Sequence, residues 1–510
     1  MAEYVKQSLA TGGTVLDAIR LGRNAPCPTG SAFDCDSPGT AQERSNARPI
    51  YKLWILTWTV FTLCVGQVVL PALAQQVTDS RELPPWGKLT KLRVSSNHRY
   101  LEDADRRPFF LVGDCPQNLP LKLPVAEFDG YMAECASKGF NWLWICIDGQ
   151  NSGGLATKSQ VDKQGNRMMA SDWDISTLND KYFLTIDAIV KAAQRHGHYC
   201  AFTPLSECQW SQDNIDRNSA DKWYDYGHFL GERYKDEHNI VWMIGNDNIN
   251  QQAQHAIVEG IKEAGDTHLI TVNWRPGFHK QGSGWIRKHQ YGEKWIDLDA
   301  WYINAPIHEG GAPCYWQKIE YDRSDPMPSF QCEAEYQQPY AKASDLACRM
   351  QNYYVALGGG CGGQVYGAGF LDDASEYDTY KNNGGRVQAI HFRNLFVSRD
   401  WTTLVPDYGH KFITGGYGTL SPTTQDYVGA AFDGGTLGMA YFPTEAPVTV
   451  ALLLFVGKVQ ARWYDPTNGE FQDIADSPFA NVGSRQFMPP GKNNMGDSDW
   501  VLVLESGKKP

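Results

Sequence analysis

The sequence predicts a (β/α)8 barrel followed by an all-β sandwich, and three features carry that prediction. Eight short apolar runs alternate with amphipathic stretches over residues 89–400. After about residue 401 the helical period vanishes, and short runs follow one another between Gly, Pro, Asn and Asp turns. Finally, Gly113-Asp114-Cys115-Pro116 follows the first run, where an open doubly wound sheet would carry a phosphate loop.

The eight runs are Phe109–Gly113, Trp142–Ile147, Tyr199–Thr203, Ile240–Gly245, Leu269–Asn273, Leu298–Tyr302, Ser329–Glu333 and Gly363–Gly367. Apolar runs of this length read as strands buried on both faces. Helical pattern lies over Phe128–Lys138, Asp180–His196, Trp223–Lys235, Gln252–Ala264 and Leu346–Gly358. Strands alternating with helices imply a parallel sheet with covered faces, and eight such units match a closed barrel. In the tail, "YVGAAFDGG", "LGMAYFP", "VTVALLLF", "VQARWYDP", "GEFQDI" and "SDWVLVLE" read as the strands of a sandwich. No low-complexity linker separates the two, so they are expected to pack directly, the sandwich buttressing the barrel or touching substrate.

Arg48 and Lys52 precede an apolar run ending in Ala72-Leu73-Ala74. A positive flank, an apolar stretch and a small-x-small site describe a secretory signal peptide. The chain therefore divides into an extension (1–50, given no function), a signal peptide (51–74), a linker (75–88), the barrel (89–400) and the sandwich (401–510). A secreted or periplasmic location is expected. The alternative is a membrane anchor, since an uncleaved 53–73 run could span a bilayer.

A net charge of −12, a pI near 5.5 and no basic stripe argue against a nucleic-acid partner. The 17 Trp and 25 Tyr offer flat amphipathic faces that suit sugar rings, although cores use them too. Of 12 cysteines, Cys27, Cys35 and Cys64 lie at or before the signal, leaving an odd number in the mature part. Cys146, Cys200 and Cys332 sit in apolar runs and read as buried thiols; Cys200/Cys208 and Cys348/Cys361 are the candidate pairs. Neither CxxC nor HExxH occurs, and no metal or cofactor is expected. Gly358, Gly360 and Gly363 fit GxGxxG but precede their strand, which argues against a nucleotide.

Barrel enzymes aim their functional groups from the C-terminal ends of the strands. Here those ends carry Asp114, Asp148, Asp247 and Glu333, with Glu207 after the third run. A strand-end Asp often only caps the next helix. Asp247 stands out because Asn246 and Asn248 flank it with neutral hydrogen-bonding groups. Strand alternation puts Gln331, Glu333 and Glu335 on one face, expected to look into the barrel, and a different register would substitute Glu335 for Glu333.

These residues also carry a resemblance. Read in order, "NHRYLEDADRRPFFLVGD", "KGFNWLW", "YGHFLGERYKDEHNIVWMIGND", "WIDLDAW", "CEAEYQ", "VYGAG", "RWYDPTNGEF", "FMPPG" and "SDWVLVLE" resemble the apiosidase-like glycoside hydrolases of family 140. Many members of that family end in a domain named for collagen binding. The family's Gly-Gly-Asp and Glu-Pro-x-Tyr-Glu motifs align their first acids with Asp247 and Glu333. The resemblance implies acid/base and nucleophile roles for them. Three departures stand out: Gly245-Asn246-Asp247, Glu333-Ala334-Glu335-Tyr336-Gln337, and Asp114-Cys115-Pro116-Gln117 in place of Asp-Thr-Ala-Trp. The last removes an aromatic near the substrate mouth and leaves the sugar open.

The expected reaction is hydrolysis of a plant cell-wall saccharide, a pectin side-chain sugar, by two carboxylates. A separation of roughly 5 Å gives retention and roughly 6.5–9.5 Å inversion, and retention is expected here. Candidate substrate contacts are Asp114, Asn246, Trp274 and Trp301, with Tyr336 and Tyr366 orienting Glu333. Two other readings stay open: a different glycosidase specificity on this scaffold, and a non-catalytic carbohydrate-binding or adhesion protein.

Overall fold

The computed structural model describes residues 89–149, 161–206, 210, 212–247, 250–275, 282–303, 305–337, 343–368 and 374–507. The extension, the signal segment, the linker, Glu207 and Cys208 lie outside them. Among the described residues no helix is long and apolar enough to cross a membrane.

Eight parallel strands form the barrel: β1 (Leu111–Asp114), β2 (Trp142–Cys146), β3 (Tyr199–Thr203), β4 (Ile240–Ile244), β5 (Ile270–Val272), β6 (Asp299–Tyr302), β7 (Ser329–Glu333) and β8 (Gly362–Tyr366). They are hydrogen-bonded in the order β5-β4-β3-β2-β1-β8-β7-β6. At the remaining seam the Asp297 N–H donates to the Ile270 carbonyl at 2.8 Å, and the Thr271 hydroxyl to the Leu298 carbonyl at 2.9 Å. The cylinder is thereby almost closed.

Alternation sorts the side chains into two cores. Trp142, Trp144, Tyr199, Ala201, Val241, Met243, Ala300, Tyr302, Phe330, Cys332 and Val365 fill the interior. The intervening Leu143, Ile145, Cys200, Phe202, Ile240 and Trp242 meet the surrounding helices. This double burial is why the strands read as unbroken apolar runs.

The helices are α1 (Phe128–Ser137), α2 (Asp180–Arg195), α3 (Ala220–Tyr234), α4 (Gln251–Glu263), α5 (Gly284–Gln290), α6 (Pro313–Tyr321), α7 (Asp345–Leu357) and α8 (Ala389–Val397). Asn179, Ser219, Asn250 and Ser344 cap α2, α3, α4 and α7 by accepting a first-turn N–H. The sequence shows no clear period over α5 and α6, each too short to display one.

Cys200, Cys348 and Cys361 are free buried thiols, so neither candidate disulfide forms through them. Cys348 lies in the helix-side core and Cys361 in the barrel interior, so the wall separates them.

The C-terminal part is a sandwich of two antiparallel sheets. The larger joins β9 (Val405–Pro406), β11 (Gly429–Phe432), β12 (Leu437–Phe442), β14 (Val459–Tyr464), β15 (Phe471–Asp473) and β17 (Trp500–Ser506) in the order β9-β11-β12-β17-β14-β15. The smaller runs β10 (Ile413–Gly415), β13 (Val448–Ala451), β16 (Ser484–Phe487). One face of the larger sheet (Met439, Tyr441, Val501 and Val503) joins the helix-side core of the barrel. Across this joint the Tyr353 and Tyr441 rings stack with centroids 4.9 Å apart, and Tyr354 donates to the Tyr427 carbonyl at 2.5 Å.

Arg349 of α7 pins the joint. Its guanidinium donates to Asp499 at 2.7 and 2.8 Å, to Asp497 at 2.7 Å and to Gln388 at 2.7 Å. Asp499 is fully buried, so loss of the arginine strands a charge in the interior. Arg349→Ala is expected to destabilise the fold by roughly 3–5 kcal/mol, read as a lower urea midpoint at unchanged m-value.

Candidate active site

β4 ends in a reversal. Gly245 has φ +80° and Asp247 φ +63°, so the chain turns left-handed twice in three residues. A non-glycine residue held there costs on the order of 1–3 kcal/mol. Asn273, at the end of β5, helps hold it by accepting the Asp247 N–H on Oδ1 at 3.0 Å. The Arg275 N–H also donates to the Asp247 carbonyl at 3.3 Å.

On β7 simple alternation fails. Phe330 and Cys332 face the interior, so Glu333 would ordinarily face the helices. The ladder to β6 skips one residue: Trp301 pairs with Gln331, but Tyr302 pairs with Glu333. Cys332 is the extra residue of a bulge, and the bulge turns Glu333 inward. The expectation that Gln331, Glu333 and Glu335 share the inner face is thus corrected. Gln331 lies beside Trp301 on the outer face, and Glu335 is half-exposed near His308 and Glu309.

Glu333 accepts from Asn273 Nδ2 at 3.1 Å, so one asparagine holds the Asp247 backbone and the Glu333 carboxylate together. Burial, and next the charge of Asp247, push the Glu333 carboxyl up to about 8, against the pull of Tyr336, Asn273 and Tyr302. Burial also raises Asp247, opposed by the Tyr302 hydroxyl and the Arg275 cation. Tyr302 therefore stands close to both acids. Its hydroxyl and one Asp247 oxygen have no partner in strict hydrogen-bond geometry among the described residues. With Glu333 raised beside a charged Asp247, the pair retains one proton near neutral pH.

Tyr336 is buried in the interior cluster, and its hydroxyl favours the ionised form of Glu333. Its ring lies flat against Gly367, where an added Cβ would come within 1.8 Å of Cδ1. Asn246 is buried beside Asp247, its Nδ2 donating to the Ser206 hydroxyl at 3.3 Å.

The other candidates sit elsewhere. Asp114 follows interior-facing Gly113 and so points outward, where Oδ2 accepts from Arg386 at 2.6 Å and Tyr131 at 2.9 Å. A carboxylate so committed braces β1 against the helix layer, which corrects its reading as a sugar ligand. Tyr366 also points outward and donates to Gln337 at 2.7 Å rather than orienting Glu333. Trp301 is fully buried on the outer face, donating to Gln317 at 2.8 Å, with no ring face left for a sugar. Trp274 packs with Val272, Ile296 and Met327 outside the barrel, edge-on to Tyr291.

Sequence reasoning missed Asn273, Arg275 and Tyr302. A signal for Tyr302 existed: Leu298 and Ala300 share the interior, and the same parity selects Tyr302 over Trp301. Among the described residues no three His, Cys, Asp or Glu side chains stand together to hold a metal.

Residues 95–406 match the family described as "Apiosidase-like, catalytic domain". The chain belongs to this family. Residues 420–505 match a second family, "Putative collagen-binding domain of a collagenase". The apiosidase-like barrel is similar to solved structures. One, titled a glycoside hydrolase, shares 22% identity over 82% of this chain and 98% of that one, with a TM-score of 0.69. Another, a family 5 glycoside hydrolase from Bacteroides vulgatus, shares 22% over 83% and 94%, also at 0.69. A third, titled "a putative glycoside hydrolase" from the same organism, at 12% identity over 82% of each chain, gives 0.56. No curated protein matches. The apiosidase-like chain is a glycoside hydrolase.

Two outcomes follow for this site. Asp247→Asn removes the charge that raises Glu333, so the Glu333 carboxyl should titrate below its present value of about 8, followed by carboxyl 13C NMR against pH. Gly367→Ala should push Tyr336 off its seat and raise that same titration, because a donor to the ionised form is withdrawn.

Proposed function

We propose that this glycoside hydrolase removes a sugar from pectin side chains in the manner of an apiosidase, with retention of configuration, using Glu333 as nucleophile and Asp247 as acid/base. The observation carrying the reading is the convergence of both acids on Asn273, which accepts the Asp247 N–H and donates to the Glu333 carboxylate, with Tyr302 close to each. A hydroxyl close to both acids favours the short separation that direct attack requires.

Glu333, the more strongly raised of the two, must first pass the shared proton to Asp247; ionised Glu333 then attacks the anomeric carbon while Asp247 protonates the departing oxygen. The product is a glycosyl ester on Glu333 and a free aglycone. Asp247, now ionised, takes a proton from water as that water attacks the same carbon, and Glu333 leaves as carboxylate. Asn273 and Tyr336 stabilise Glu333 whenever it is charged, just before attack and again as the ester is released. Asn246 offers a neutral amide to a hydroxyl of the sugar.

The departure at the mouth favours a second specificity. Gln117, where the family has an aromatic, is buried, its Nε2 3.3 Å from the Cys115 sulfur. A sugar other than apiose therefore remains an outcome of the substrate panel. Cleavage after Ala74 and export belong to the same proposal, and N-terminal sequencing of exported protein should begin at residue 75.

The deciding experiment is turnover of 4-nitrophenyl apioside, arabinosides and pectin-derived oligosaccharides, with product anomers followed by 1H NMR. Asp247→Ala should lower turnover about 10²–10⁴-fold on poor leaving groups, and far less on activated ones; Glu333→Gln should abolish both. Inversion of the anomer, or full activity in Glu333→Gln, would overturn the assignment.

A further inference from the structure

One acid at a strand end takes no part in the chemistry described so far. Asp148 lies just beyond β2 and is fully enclosed. The Ser206 backbone N–H donates to its two oxygens at 3.2 and 3.0 Å, and Trp210 Nε1 donates to Oδ2 at 2.9 Å. Burial pushes this carboxyl up to about 7 despite those donors, and no cation offsets it. A neutral side chain could fill this corner without the desolvation cost, whereas a carboxylate meets the converging N–H donors with acceptors on both oxygens and presents no donor of its own.

What Asp148 holds is itself connected to the site. Ser206 follows β3, and its hydroxyl accepts from Asn246 Nδ2 at 3.3 Å. The same nitrogen lies 3.6 Å from Cys146 Sγ at the end of β2. Asn246 directly precedes Asp247. The ends of β2, β3 and β4 are therefore joined by one run of hydrogen bonds that stops a single residue from the acid/base. Trp210 anchors the far end, packed edge-on against Trp173 at 4.8 Å and Trp223 at 5.4 Å.

We propose that Asp148 is a positioning residue for glycoside hydrolysis: through Ser206 it holds the Asn246 amide where it meets a hydroxyl of the sugar being cleaved. The inference rests on the reading of Asp247 and Glu333 given above. A hydroxyl contact that tightens as charge develops acts on kcat more than on KM.

The test is a pair of double-mutant cycles, Asp148→Asn with Asn246→Ala and Ser206→Ala with Asn246→Ala, each read in kcat, KM and urea stability. On the substrate the wild type prefers, Asp148→Asn should lower kcat roughly 100-fold with KM little changed. Ser206→Ala, a smaller lesion at the middle of the relay, should act in the same sense. Neither should add to Asn246→Ala, since all three remove one unit. Additive losses in kcat, or losses confined to KM, overturn the proposal. So does coupling in stability alone, which marks a brace and nothing more. If the wild type hydrolyses none of the panel, the pectin side-chain reading falls and takes the positioning role with it, while the stability cycles still report whether the relay exists. If the wild type is active and Asp148→Asn matches it, the inference alone falls.

Discussion

The site depends on one irregularity, the extra residue on β7. Without it Glu333 would follow Phe330 and Cys332 out of phase and end against the helices. With it, Glu333 lies in a parallel ladder beside Tyr302 and accepts from Asn273. A closed barrel makes such a shift consequential. Every strand position is committed either to the interior or to the helix layer, so one inserted residue moves an acid from one environment to the other.

The two acids are brought together by unlike means. Asp247 is delivered by backbone, through a left-handed residue held by Asn273. Glu333 is delivered by register. Asn273 serves both, because an amide presents an acceptor on one side and donors on the other. The outcome is electrostatic: two carboxyls drawn away from water, Glu333 raised further by the charge of Asp247, with hydroxyls and an amide ready to receive whichever charge forms. The strain at Asp247 and the desolvation at Glu333 are costs that the surrounding core must offset.

Much of this was legible. The eight apolar runs and the loss of helical period in the tail follow from burial on both faces and from short turn-bounded strands, and the barrel and the β domain appear as read. The strand-end acids were visible because charge is conspicuous after an apolar run. Partnership was not. Asp114 looks like Asp247 in the sequence, yet its fate is decided by Arg386, which is 272 residues away. Trp274 and Trp301 drew attention as aromatics, although parity turns both outward. The bulge at Cys332 leaves no mark in composition. It also reversed the argument used for Glu333: that residue reaches the interior because alternation breaks there.

The joint between barrel and sandwich bears on how the chain can be divided. Arg349, whose charge is met by Asp499 of the sandwich, sits on α7, and Gln351, two residues onward, accepts the Glu335 N–H at 2.9 Å. Glu335 is two residues from Glu333. The tail is therefore wired to the acid through a single helix, and a polypeptide trimmed at the family boundary would bare Tyr353 and Tyr354 and slacken the strand that carries Glu333. Two names along the sequence describe one mechanical object.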